Sequence, residues 1–167
     1  MTTTPEASLS PSFDVFEPLR DELAFRVGLG ARFGLSASTW EALRFWQSPS
    51  GAIWASAREV DLSDLEDVEA VGMLVMRRPP PRGQPSTAFL RQWCVNATKG
   101  VLLLGPEAGA RFLRGEILET AEANAAGVVV MSGSAVLGRG RIADGRLHCE
   151  IPKGFRADVG DTLDVSG

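Results

Sequence analysis

The stretch LGRGRIADGRLHCEIPKGFR, Leu137 to Arg156, decides how the second half of this 167-residue chain is read. It holds five of the 17 lysines and arginines, four glycines and the only histidine. Asp144-Gly145, set between two runs of alternating polarity, is the strongest short hairpin signal, because a two-residue type I′ turn needs positive φ at both positions. Such a turn pairs Ala143 with Arg146, Ile142 with Leu147, Arg141 with His148, Gly140 with Cys149, Arg139 with Glu150 and Gly138 with Ile151. One face then carries Gly138, Gly140, Ile142, Leu147, Cys149 and Ile151, and the other Arg139, Arg141, Arg146, His148 and Glu150. A slip of one residue would mix the faces, so the register is strongly specified. The inward glycines predict a tight bend or a closely packed helix. The outward residues predict a cationic strip in which Glu150 partly neutralises Arg139 across the strands. PKGFR adds Lys153 and Arg156 at a turn beside it.

The same register removes one chemistry. Adjacent residues on a strand point to opposite faces, so His148 and Cys149 do not form a thiol–imidazole dyad. Cys149 reads as a small core residue, and Cys94, between Trp93 and Val95, reads likewise. GLGARFG, Gly28 to Gly34, superficially resembles a dinucleotide loop, but it lies inside a helical pattern and not between a strand and a helix. Walker-type and H-E-x-x-H motifs are missing, and no carboxylate pair suits acid–base work. Two cysteines are too few for a disulfide framework or a protein-only structural zinc site. No catalytic residue, metal or cofactor is expected, and the chain reads as non-enzymatic.

With 44% hydrophobic and 23% charged residues, the chain can close a core without staples. MTTTPEASLSPS lacks the basic and apolar regions of a secretory signal. No apolar run approaches the roughly 18 residues that cross a bilayer. A cytoplasmic protein with no membrane partner is expected, with a disordered tail over residues 1–13. The net charge of −4 conceals an asymmetry: residues 1–76 hold 5 basic and 12 acidic side chains, and residues 77–167 hold 12 basic and 9 acidic. A basic face aimed at a polyanion is one reading, and an ordinary solvated surface the other.

Along the chain, Leu19, Leu23 and Val27 predict a helix between Phe16 and Phe33, stopped at Gly34. Ser38 and Glu41 match the capping box of a second, short helix. RFWQSPSGAIWAS predicts a hairpin turning over Ser48–Gly51, DLSDLEDVEA an exposed acidic segment, and VGMLVMR a short buried strand. RRPPPRGQP is too proline-rich for a helix or a central strand. STAFLRQWCVNATKG predicts a helix capped by Ser86 with Gly100 beyond its end. VLLLGPEAGARFLRGEIL predicts a strand, a helix begun by Pro106 and a stop at Gly115. The strands GVVVM, AVLGRGRI, RLHCEI and DTLDV follow, closely spaced, which favours a small barrel over a parallel sheet. All four tryptophans precede residue 98, so the first core is the aromatic one. The fold class is therefore α+β, divided near Ala97 into domains at 14–97 and 98–167 that pack closely.

EAGARFLRGEIL followed by GVVVMSGSAVLGRGRI resembles the opening helix and strands of PUA domains, small RNA-binding pseudo-barrels. IPKGFR is similar to the ending of the C-terminal modules of Sun-type rRNA cytosine-C5 methyltransferases. RFGLSASTWEALRFWQSPSGAIWA and QPSTAFLRQWCVNATKGVLLL are similar to the pre-PUA domain of those modules, and the same order occurs in small pre-PUA–PUA ribosome-biogenesis factors. The positions matched in the PUA-like half are Leu137, Gly138, Lys153, Gly154 and Arg156. The methyltransferase catalytic domain has no counterpart here, and HCE replaces the lysine–asparagine pair that often precedes the PKG ending. The resemblance implies an N-terminal α/β pre-PUA-like domain packed on a C-terminal PUA-like β-barrel. It also implies a non-catalytic protein that binds structured RNA, rRNA or pre-rRNA, in ribosome biogenesis or RNA modification. The expected RNA-binding residues are Lys99, Arg114, Arg139, Arg141, Arg146, Lys153 and Arg156. The alternative is an adaptor that docks through the acidic, aromatic N-terminal half to a ribosomal protein or an RNA-modifying enzyme.

Overall fold

Pro18 cannot donate a ladder hydrogen bond, and it is found where that matters least, on an edge strand. Glu17–Pro18 (β1) pairs with Leu43–Gln47 (β2), which forms a hairpin with Ile53–Ala57 (β3), and Met73–Met76 (β4) completes an antiparallel sheet in the order β1-β2-β3-β4. The hairpin turn is the expected one, closed by the Gly51 N–H donating to the Ser48 carbonyl at 2.8 Å. The computed structural model describes residues 15–62, 65 and 68–156, so the tail over 1–13, the expected DTLDV strand and part of the acidic segment lie outside it.

The first helix departs from expectation. It spans Glu22–Phe33 (α1), because residues 17 and 18 are taken into the sheet, and it ends at Gly34 in the left-handed region as anticipated. Its buried face is Arg26, Leu29, Gly30 and Phe33, while Leu23 and Val27 are 72% and 54% exposed. The sequence offers two stripes at helical spacing, and the sheet selects the one with Phe33 and the half-buried Phe25. Arg26 is accommodated in that face by an ion pair with Glu22 one turn earlier and by donating to the Leu43 carbonyl at 2.7 Å. The second short helix is a 3₁₀ turn over Ala37–Trp40, capped by Ser36 and not by Ser38, whose N–H the Ser36 hydroxyl accepts.

Thr87–Trp93 (α2) is capped as expected, with the Ser86 hydroxyl accepting from the Phe89 N–H at 3.1 Å. It stops seven residues before Gly100. The intervening chain instead caps α1: the Thr98 and Lys99 N–H groups both donate to the Phe33 carbonyl. Val101–Leu104 (β5), Pro106–Leu113 (α3), Leu118–Glu119 (β6), Ala125–Ser132 (β7), Ala135–Ala143 (β8) and Arg146–Cys149 (β9) follow. They make a five-stranded half-barrel sheet in the order β5-β7-β8-β9-β6. The β8–β9 register agrees pair by pair with the expected hairpin, from Ala143 opposite Arg146 to Gly140 opposite Cys149, with φ of 52° at Asp144 and 70° at Gly145. Within it β5 pairs with β7 in parallel, because the crossover through α3 returns the chain in the same direction, and the other strand pairs are antiparallel. Among the described residues no helix is long and apolar enough to cross a membrane.

β7 explains the continuous GVVVM run. Val129 and Met131 join the aromatic core of Phe33, Trp40, Phe45 and Phe89, while Val128 and Val130 face a second core with Phe112, Leu137, Leu147 and Ile151. A strand buried on both sides loses the alternating pattern. Gly138 allows the two layers to meet. Its φ is 149°, and a Cβ there would lie 2.7 Å from Ile151 Cγ1 and 2.9 Å from Thr87 Cγ2 on α2. Gly138→Ala is expected to cost about 1–3 kcal/mol in urea unfolding through strain and overpacking; an unchanged midpoint would contradict this packing.

Candidate nucleic-acid interface

The proline-rich segment 77–85 leaves β4 and folds back on itself before α2. The turn needs glycine at 83, since a Cβ there would lie 1.7 Å from the Arg78 carbonyl oxygen, and the Gly83 N–H donates to the Pro79 carbonyl at 3.0 Å. Its far end is pinned by the Ser86 N–H donating to Val75 O at 2.7 Å and the Ser86 hydroxyl donating to Leu74 O at 2.6 Å. Between this loop, the start of α2, β8 and the turn after β9 lies a groove of about 500 Å³. Arg77, Arg78, Arg82, Arg139 and Phe155 line it, with Glu150 as the one carboxylate among the described residues of its lining.

Arg77, Arg78 and Arg82 are exposed, and none of them forms an ion pair among the described residues. Arg139 is half-buried, donates to Pro85 O at 3.0 Å and meets Glu150 at 2.9 Å. Glu150 also lies 3.7 Å from Arg141, so its charge is shared between two arginines. Behind the groove, Arg32 donates to the Gln84 side chain and to Gly127 O at 3.3 Å. Burial lowers the Arg32 pKa from its ordinary value, and the like charge of Arg139 lowers it further. Among the described residues, four guanidiniums against one carboxylate, with a fifth desolvated behind them, make this concavity cationic despite the net charge of −4.

The seven expected residues do not converge here. Arg139 lines the groove, and Arg141 shares its carboxylate. Lys153 and Arg156 belong to the helical turn that carries Phe155, and Arg156 is turned inward, donating to Ile151 O at 2.7 Å. Arg114, at the end of α3, is engaged by Glu116 at 3.0 Å. Lys99 sits in the loop before β5, and Arg146 opposes Glu119 near the hairpin tip. The residues that sequence reading passed over are Arg77, Arg78 and Arg82. Their signal was present: the chain runs from Ala70 to Pro106 without an aspartate or glutamate, and the prolines drew attention from the arginines between them.

His148 stands opposite Arg141, while Cys149 packs against the second core, so the two side chains occupy different faces. Among the described residues no group of three or more His, Cys, Asp or Glu could hold a metal ion. A second hollow, of about 580 Å³, lies between α1 and the same proline loop; it is mainly apolar, with Phe25, Ile53, Met76 and Pro80 in its walls. No protein-family model and no curated protein matches the chain.

Cys94 is fully buried, and burial pushes its thiol from 9.0 up to about 12, with the Arg32 charge opposing. The stability this contributes is intact below about pH 9 and is lost as pH rises toward 12, because over that window the unfolded thiol ionises and the folded one does not. The unfolding free energy should therefore fall with pH by up to about 1.4 kcal/mol per unit more steeply than in Cys94→Ala. Equal slopes would place the thiol in solvent.

Proposed function

We propose that this is a non-catalytic RNA-binding protein that holds structured RNA, rRNA or pre-rRNA, during ribosome biogenesis or RNA modification. The observation that carries the reading is the arginine groove, in which the exposed guanidiniums of Arg77, Arg78 and Arg82, without ion-pair partners among the described residues, stand around one concavity. Arginine suits this task because its planar fork matches phosphate oxygens bidentately and stays charged. The finer description, a pre-PUA-like domain on a PUA-like barrel, belongs to the same proposal. It is supported by the sheet-plus-helix first half, the half-barrel of the second and the α3 crossover between β5 and β6.

Each phosphate contact releases counterions, so affinity falls with salt at about 0.7 of a log unit per contact for a single strand. Binding of a structured rRNA fragment, followed by fluorescence anisotropy across salt, should lose about two units of slope in the triple variant Arg77→Gln, Arg78→Gln, Arg82→Gln. Changing Arg141, Lys153 and Arg156 together should cost less, since Arg156 is bonded inward and Arg141 is shared with Glu150. A salt-independent response would sink the RNA reading.

The adaptor reading also has one observation in its favour: Leu23 and Val27, one turn apart on α1, form an exposed apolar pair. It expects protein capture that survives RNase and is lost in Leu23→Glu/Val27→Glu. Capture abolished by RNase would count against it.

A further inference from the structure

We infer that the groove receives one unpaired nucleotide of the bound RNA, its base against the ring of Phe155 and its flanking phosphates on Arg77, Arg78 and Arg82. This inference rests on the RNA reading above and narrows it to a looped-out or bulged residue.

Size comes first. About 500 Å³ lies within the range of small-ligand pockets, roughly 300–1,000 Å³, and admits a single nucleotide where a paired helix could only lie across the rim. Phe155 supplies the second argument. An aromatic ring left 46% exposed in the wall of a cationic groove is the arrangement by which proteins stack unpaired bases. That ring is held on a fixed backbone. The Phe155 N–H donates to Pro152 O at 2.9 Å, and Arg91 reaches the Phe155 carbonyl at 3.4 Å while donating to Leu137 O at 2.7 Å. Arg156 closes the turn from the other side through Ile151 O. The ordering cost of a stacking platform is thus met before RNA arrives.

The groove is also polar in one direction. Glu150 and Arg139 form one wall and nearly cancel, while Arg77, Arg78 and Arg82 on the loop side have no acidic counterpart among the described residues. A phosphate is drawn to the loop side and repelled by the carboxylate, which sends the base toward the Arg139 and Phe155 side. Gln84 lines the same cavity, and its Oε1 is taken by Arg32. Its amide nitrogen therefore remains as a donor for a base edge.

The test uses the full chain and three RNA hairpins of one sequence: fully paired, with one bulged nucleotide, and with an abasic residue at the bulge. Anisotropy should give about tenfold tighter binding to the bulged hairpin than to either of the others. Phe155→Ala should remove about that factor for the bulged hairpin alone, leaving the salt slope unchanged, and Phe155→Trp should restore it. Thermal unfolding of both variants checks that the turn is retained. Equal affinity for paired and bulged hairpins, with the salt slope still lowered in the loop-arginine triple variant, overturns the single-nucleotide site while leaving RNA binding in place. Absence of salt-dependent binding to every hairpin overturns both.

Discussion

The two halves are packed together where α2 lies on β8 at Gly138. A side chain there would meet Ile151 and Thr87, and without one the helix seats Phe89 and Leu90 in the aromatic core while Leu137 faces the other core. Arg91 joins the contact by donating twice to the Leu137 carbonyl. Full burial of large apolar side chains contributes about 1.5–3 kcal/mol each, so displacing the helix would disturb several such terms together. The groove inherits its position from this contact, since Thr87 and Ala88 form its floor on one side and Arg139, one residue after Gly138, its wall on the other.

Charge is arranged around that junction in a way the average conceals. The acidic residues cluster before Ala70, and the acid-free segment that follows runs through β4, the proline loop and α2. Folding brings it beside the β8–β9 hairpin, whose outward arginines share Glu150. The hairpin strip alone is therefore partly self-neutralised. The excess of positive charge appears only where loop and hairpin meet, and the desolvated Arg32 beneath strengthens it.

The hairpin was legible in the sequence to the level of individual pairs, because the Asp144-Gly145 turn and an alternating pattern each permit a single register. The Ser86 cap, the Pro106 helix start and the GVVVM strand were legible for similarly local reasons. The α1 face was not. Leu23 and Val27 are as well spaced as Leu29 and Phe33, and a buried arginine with a glutamate one turn away looks in sequence like an exposed pair. The end of α2 was misjudged because its following residues serve the C-terminus of another helix. The parallel β5–β7 pair was not legible either, because which strands become neighbours is set by contacts between distant segments and not by local pattern.

By itself, then, the sequence determined the elements whose information lies within a few residues: turns, caps, alternation and register. It also placed the excess of basic residues in the second half. Only the tertiary structure decided which stripe of α1 is buried, which strands run parallel, and which arginines face one another across a common groove. These depend on surfaces brought together from distant parts of the chain, and burial and electrostatic potential act through space with no counterpart in spacing along a strand or helix.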